Sequence, residues 1–145
     1  MTEGLSPAFV DELLTRLEGE EGIRLFPYRD SLGVLTIGIG RNLETRGLTA
    51  EEARDLCRHD LRDTWAGLLA RWPWMAGLDE PRRVVVIDMA FNLGIAGLAN
   101  FVKFLAALKT GEYAHAADEM LASRWAGQVG QRAARLAALM RTGSR

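Results

Sequence analysis

"EEGIRLFPYRDSLGVLTIGIGR", residues 20–41, decides how the rest of the chain is read. It joins the end of one periodic segment to the start of another, and it holds two adjacent carboxylates, a lone Asp, a Thr and a glycine-spaced run. Upstream, Ser6 is an N-cap with Pro7 at the first helical position, and Phe9, Val10, Leu13, Leu14 and Leu17 repeat at helical spacing. An amphipathic helix is therefore expected to end near Glu21. Downstream, Leu35, Ile37 and Ile39 alternate with Thr36, Gly38 and Gly40, which is the period of a strand. With the turn-prone "DSLG" ahead of it, this part reads as a small hairpin whose apolar face carries Leu35, Ile37 and Ile39.

Beyond the hairpin the signals are helical. "TAEE", 49–52, is a capping box that opens a long helix through Leu56, Leu61, Trp65 and Leu68 and stops before Pro73. At the standard rise it spans roughly 30 Å, enough to tie a small N-terminal lobe to a larger C-terminal one. Asp79, Glu80 and Pro81 start the next helix, "RRVVVIDMAFNL", which is apolar nearly all round and hence buried, with Gly94 as its C-cap. Three more helical stretches are expected at about 98–109, 112–122 and 130–141. The class is α+β, predominantly α-helical: a helical bundle carrying one minor sheet.

A chain of 145 residues, 48% hydrophobic, with four Trp and five Phe, can build one core without disulfide or metal staples. The single Cys57 reads as a buried free thiol, and the absence of CxxC or HExxH spacing leaves no metal or cofactor expected. His59 and His115 read as helix-surface residues. Trp72 and Trp74, flanking Pro73, read as packing a loop against the larger lobe. The start, "MTEGLSPAFVDELL", lacks a basic n-region and a long apolar run, so neither a signal peptide nor stable membrane insertion is expected. The first 63 residues carry 13 acidic and 8 basic side chains and the remainder 6 and 10, so the halves differ in sign. The arginine-rich end suits either an anionic polymer or a solvated helix face, but no nucleic-acid docking motif accompanies it.

The opening stretch also carries candidate chemistry. Glu21 falls in the last turn of a helix, where the negative end of the macrodipole disfavours an ionised carboxylate and so suits a general acid. It shares a face with Leu13 and Leu17, whereas Glu20 is one position round and solvated. Asp30 sits in a polar turn suited to an ionised carboxylate, and Thr36 follows on the returning strand. Two carboxyls in unlike environments are what glycosidic cleavage needs, one to protonate the leaving oxygen and one to support the oxocarbenium-like centre. Spacing alone leaves two readings open, this one and a helix end running into a hairpin with incidental acids.

"EGIRLFPYRDSLGVLTIGIGR" resembles the active-site segment of the phage-type lysozymes, glycoside hydrolase family 24, and notably its T-even phage members. The pattern is Glu, eight residues, Asp, five residues, Thr, which Glu21, Asp30 and Thr36 meet without a gap. "RRVVVIDMAFNLG", "ANFVKFLAALKTGEYAHAADEMLASRW" and "QRAARLAALMRTG" resemble that family's later helices in order, so the similarity covers roughly 10–143. The resemblance implies a lysozyme-like two-lobed fold in one domain over 1–145. The small active-site lobe would fall at about 20–50, the linking helix at about 49–71, and the helical lobe at about 72–143 with helix 6–21 packed on it. It implies an endolysin that cleaves peptidoglycan between N-acetylmuramic acid and N-acetylglucosamine without cofactor or metal; the alternative is a lysozyme-like module that binds the wall without cutting it.

Carried over by position, the resemblance makes Glu21 the general acid, Asp30 the stabilising carboxylate and Thr36 the holder of the attacking water. It makes Arg132 the ion-pair partner of Glu21, and Phe91, Asn92 and Asn42 lining residues of the saccharide cleft. Trp125 would be structural. Phe104 and Glu119 fall at saccharide-site positions that are small or neutral polar in the T-even members, and Arg41 stands where those members have a histidine paired with an aspartate. Asp60 occupies the matching acidic position, so an Arg41–Asp60 pair is expected. The segment from Leu43 to Thr49 is shorter than in those members, which implies a more open cleft. The resemblance further implies a monomer made in the host cytoplasm that reaches the periplasmic wall through a membrane lesion made by a holin.

Overall fold

The structure is a computed structural model and describes residues 4–143. Helix α1 runs Pro7–Glu21 with Ser6 as its N-cap, the hydroxyl oxygen accepting from the Phe9 N–H at 3.2 Å. Three antiparallel strands follow in the order β1, β2, β3: Arg24–Arg29, Leu35–Gly38 and Arg41–Asn42. Helix α2, Ala50–Arg71, opens on the reciprocal capping box: Thr49 Oγ1 accepts from the Glu52 N–H at 3.1 Å, and Glu52 Oε1 accepts from the Thr49 N–H at 2.9 Å. A 3₁₀ turn, Pro73–Gly77, leads to α3, Glu80–Ala99, then α4, Val102–Lys109, α5, Tyr113–Leu121, α6, Arg124–Val129, and α7, Gln131–Thr142. This is an α+β fold of helices with one small sheet.

Three departures from the sequence reading have local causes. The hairpin gains a third strand of two residues, too short to leave a period. Gly94, expected to end its helix, takes φ +76° and breaks the hydrogen-bonded run, but the chain resumes helical geometry up to Ala99. Helix α6 was not expected at all; it is six residues long, capped by Ser123 Oγ on the Ala126 N–H and closed by Gly130 at φ +58°. In β2 Thr36 is buried, while Leu35, Ile37 and Gly38 are half-buried.

The chain packs as two compact units divided inside α2, after Arg54. In the first, the only buried side chain among the described residues is Thr36. Phe9, Val10, Leu13, Leu14 and Leu17 of α1 are exposed. The second unit holds a continuous apolar core of Leu68, Met75, Val85, Val86, Met89, Leu98, Phe104, Leu108, Met120, Trp125, Leu136 and Met140. Helix α7 packs on α3, α5 and α6, and α4 packs on α5. Trp72 and Trp74 pack against that core, as their positions around Pro73 suggest. Cys57, expected inside, is exposed on α2; its neighbours in sequence, Leu56 and Arg58, are exposed too.

Arg82 is the one buried cation among the described residues. Its Nε donates to the Met140 carbonyl at 2.9 Å and Nη2 to that of Arg141 at 3.2 Å, while Nη1 reaches Asp79 at 3.1 Å and the guanidinium lies 3.9 Å from the Tyr113 ring centroid. It thereby supplies donors to carbonyls in the last turn of α7 that the helix itself leaves unpaired. Among the described residues no single helix is long and apolar enough to cross a membrane. The apolar run through α3 and α4 is bent by 105° and supplies much of the core. Because Phe104 is 1% exposed at the centre of that core, Phe104→Ala should cost about 3–5 kcal/mol of unfolding free energy, measurable by urea titration.

Candidate active site

The three carboxyl and hydroxyl candidates lie together in the first unit, each fixed by a different local device. Glu21 is the last residue of α1, and Gly22, at φ +72°, closes that helix by donating its N–H to the Glu18 carbonyl at 2.9 Å. No basic residue occupies the last turn. Among the described residues the Glu21 carboxyl has no hydrogen-bond partner, and it lies against Gly40. A β-carbon built on Gly40 would stand 3.3 Å from Glu21 Oε2 and 3.4 Å from its Cδ.

Asp30 opens the β1–β2 turn. Its Oδ1 accepts from the Leu32 N–H at 2.8 Å and the Val34 N–H at 2.9 Å, and its own N–H donates to the Val34 carbonyl at 3.0 Å. These bonds form an Asx turn that locks the side chain and leave Oδ2 outside it. The same turn is braced by Arg29, whose Nη1 donates to the Gly33 carbonyl at 3.0 Å and to Glu44 at 3.1 Å.

Thr36 is the middle member of a cross-strand row, paired with Tyr28 on β1 and Asn42 on β3. Its Oγ1 donates to the Val34 carbonyl at 2.9 Å. With the hydroxyl proton committed, the oxygen retains only acceptor capacity, suited to receiving a hydrogen bond from water. Asn42 Oδ1 accepts from the N–H groups of Glu44 and Thr45, both at 2.9 Å, so its amide NH₂ is the free end.

The remaining candidates belong to the second unit and are divided between two hollows. Phe104 and Glu119 line a pocket of about 540 Å³ together with Phe101, Lys103, Arg124 and Trp125. Phe104 supports it from within the core, edge-on to Phe101 with ring centroids 6.3 Å apart. Glu119 lies 3.2 Å from the ring nitrogen Nε2 of His115, one turn back on α5. Phe91, which is 45% exposed, lines a second hollow of about 300 Å³ with Cys57, Leu61, Ile87, Asp88 and Arg132. Asn92 connects to the first hollow: its Oδ1 accepts from Trp125 Nε1 at 3.0 Å, again leaving an amide NH₂ free.

Arg132 is ion-paired with Asp88 on α3, its Nε donating at 2.7 Å and Nη2 reaching the same carboxylate. Glu21, the partner implied by resemblance, belongs to the other unit. Asp88 was missed because 44 residues separate it from Arg132, a distance no local pattern spans. Arg41, for its part, pairs with Glu52 rather than the expected Asp60. Its Nη1 donates to Glu52 Oε1 at 2.9 Å and to the Gly47 carbonyl at 3.0 Å, and Nη2 donates to Glu52 Oε2. Glu52 wins because the capping box already aims it at the chain entering α2, whereas Asp60 is eight residues, about 12 Å, further along the helix. Among the described residues no group of three or more His, Cys, Asp or Glu side chains could hold a metal ion.

Residues 18–142 match the phage lysozyme family, and the chain belongs to that family. It is 32% identical to the endolysin of Salmonella phage P22, over 79% of this chain and 82% of that protein. It is 28% identical to the pre-baseplate central spike protein of Enterobacteria phage T4, over 88% of this chain, but spans only 27% of that protein's length. A probable T4-type lysozyme of Dictyostelium discoideum is 26% identical over 93% of this chain and 96% of its own length.

The Arg41–Glu52 pair gives a pH signature. The Arg41 hydrogen bonds, followed by the Thr49 N–H, hold the Glu52 carboxyl down from 4.5 to about 2, and Glu52 in turn raises Arg41. A carboxyl whose folded value is depressed stabilises the fold above its ordinary value and loses that contribution as pH falls through the folded one. Glu52→Gln should therefore be less stable than wild type at neutral pH. Thermal unfolding midpoints of the two should converge as pH drops from about 4.5 toward 2; a constant gap over that range would contradict the assignment.

Proposed function

We propose that this protein is an endolysin-type muramidase that hydrolyses the β-1,4 bond between N-acetylmuramic acid and N-acetylglucosamine in peptidoglycan by acid catalysis, for host cell lysis. The observation that carries the reading is the contrast within the first unit: Glu21 is unpaired and exposed at a helix terminus, whereas Asp30 is locked into a turn by two backbone N–H groups. Glycosidic cleavage uses two carboxyls in unlike surroundings, one free to meet the leaving oxygen and one held in place beside the developing positive charge. Membership of the phage lysozyme family supports the same reading.

In this mechanism Glu21 gives its proton to the glycosidic oxygen as the bond to the anomeric carbon breaks. Asp30 stabilises the oxocarbenium-like centre through its remaining oxygen. The Thr36 oxygen accepts a hydrogen bond from the attacking water and so turns that water's free lone pair outward. After attack the bound water loses one proton to solvent, leaving the new anomeric hydroxyl, and the Glu21 carboxylate takes a proton from solvent. In the second unit Phe91 offers a ring face to a sugar and the Asn92 amide NH₂ a donor to an acyl oxygen; in the first unit the Asn42 amide NH₂ offers a donor of the same kind. Phe104 and Glu119 would contribute through the larger pocket. Access to the wall from the host cytoplasm through a holin lesion is part of the same proposal.

The test is incubation of wild type and Glu21→Gln with isolated peptidoglycan and with permeabilised Gram-negative cells. Wild type should clear the cells and release reducing ends, and the variant should lose at least about a hundredfold of the rate while remaining folded. Sedimentation with the wall and no new reducing ends from wild type would leave a binding module. Products with 1,6-anhydro ends would mark a transglycosylase. Thr36→Val keeps the side-chain shape and removes the acceptor oxygen. It should change stability by no more than about 1–2 kcal/mol, by urea denaturation, yet lower turnover at least about tenfold.

A further inference from the structure

The contact between Glu21 and Gly40 is explained neither by apolar packing nor by capping. With a β-carbon on Gly40, the distance to Glu21 Oε2 would be 3.3 Å, closer than ordinary van der Waals contact, and the Cγ would follow at 3.6 Å. Gly40 also takes φ +72°, a conformation that side chains rarely adopt. The positive φ favours glycine at this position whatever the space, and a side chain there would in addition press on the Glu21 carboxyl. No side chain among the described residues gives that carboxyl a hydrogen bond.

What holds Gly40 is the next residue. Arg41 pairs with Ile37 across the β2–β3 turn, so it ends the turn that contains Gly40. Its guanidinium binds the Gly47 carbonyl and both carboxylate oxygens of Glu52. Glu52 is itself fixed through the reciprocal bonds with Thr49 at the start of α2. A continuous set of ties thus runs from the first turn of α2 through Glu52 and Arg41 to the turn that carries Gly40, against which the Glu21 carboxyl lies without a hydrogen bond. The planar guanidinium meets both Glu52 oxygens side by side while still reaching the Gly47 carbonyl, a fixed orientation that an ammonium does not impose.

Resting on the reading of Glu21 as general acid, we propose that Gly40 and Arg41 are positioning residues for it. Gly40, carrying no side chain, leaves the place in which the carboxyl rests, and Arg41 ties the turn that holds that glycine to Glu52 at the start of α2. An exposed Glu otherwise samples many rotamers, and each turnover would have to find the productive one. The sequence near Gly40 gives no sign of this, since the glycine run is equally explained by a tight turn.

The experiment compares Gly40→Ala, Arg41→Met and Arg41→Lys with wild type, using soluble peptidoglycan fragments well below each variant's unfolding midpoint. Gly40→Ala and Arg41→Met should lower kcat on the order of tenfold or more with KM changed less than about twofold, and Arg41→Lys should recover part of the loss. In parallel, the ¹³Cδ resonance of Glu21, assigned by its loss in Glu21→Gln, should move in both Gly40→Ala and Arg41→Met. Loss of activity that merely tracks the unfolded fraction, or a Glu21 resonance that stays in place in both variants, overturns the proposal. If Glu21→Gln keeps the wild-type rate, the assignment of the acid fails instead, and the resonance alone then decides whether Gly40 and Arg41 position the carboxyl.

Discussion

The first unit has almost nothing buried in it, and that scarcity governs how its site can be built. Among its described residues only Thr36 is shielded from water, and Thr36 is a hydroxyl bonded to a neighbouring carbonyl. Apolar packing cannot then set the positions of Glu21, Asp30 and Thr36. Polar ties do it instead, among them the Arg41 guanidinium shared between Glu52 and the Gly47 carbonyl. The Asx turn at Asp30 and the Glu44 carboxylate, which binds both Arg29 and the Leu35 N–H, do the same around the β1–β2 turn. The second unit works by the opposite rule. There a continuous core fixes the backbone, and the candidate residues Phe91, Asn92 and Glu119 stand on helices already held by Met89, Phe104, Met120 and Trp125.

What was legible in the sequence was local. Ser6 with Pro7, and Thr49 with Glu52, marked helix starts because the capping atoms lie within three residues of what they cap. Order and spacing placed Glu21 at a helix end, Asp30 in a turn and Thr36 on a strand, but left a helix end running into a hairpin with incidental acids equally open, and only the resemblance singled the three out. Features that depend on partners far along the chain were not legible: Asp88 for Arg132, Asn92 for Trp125, the Met140 carbonyl for Arg82. Helix α6 carried a signal that went unread, Ser123 before it and Gly130 after it, but its six residues hold too little period to stand out. Alternation correctly gave β2 but not which of its faces is shielded, because a unit without an apolar core does not turn its leucines and isoleucines inward. Cys57 failed the same way, its general preference for burial being overruled by its place on an exposed stretch of α2.

The two arginine pairs show that a salt bridge can matter more for geometry than for stability. Arg41 and Glu52 leave 24% and 36% of their side-chain surface exposed, and Arg132 and Asp88 leave 36% and 34%. Pairs this open to solvent contribute modestly to folding, because screening and side-chain ordering offset most of the attraction. A hydrophobic contact of similar size would stabilise more, yet it would leave rotation about the contact free. A guanidinium fork on a carboxylate fixes orientation as well as distance. In a unit that lacks a core this directional constraint is the scarcer property. Arg41 has a second quality, since a guanidinium stays charged throughout the range in which an imidazole would titrate. The tie to Glu52 then depends on pH only through the carboxyl, which is held down to about 2.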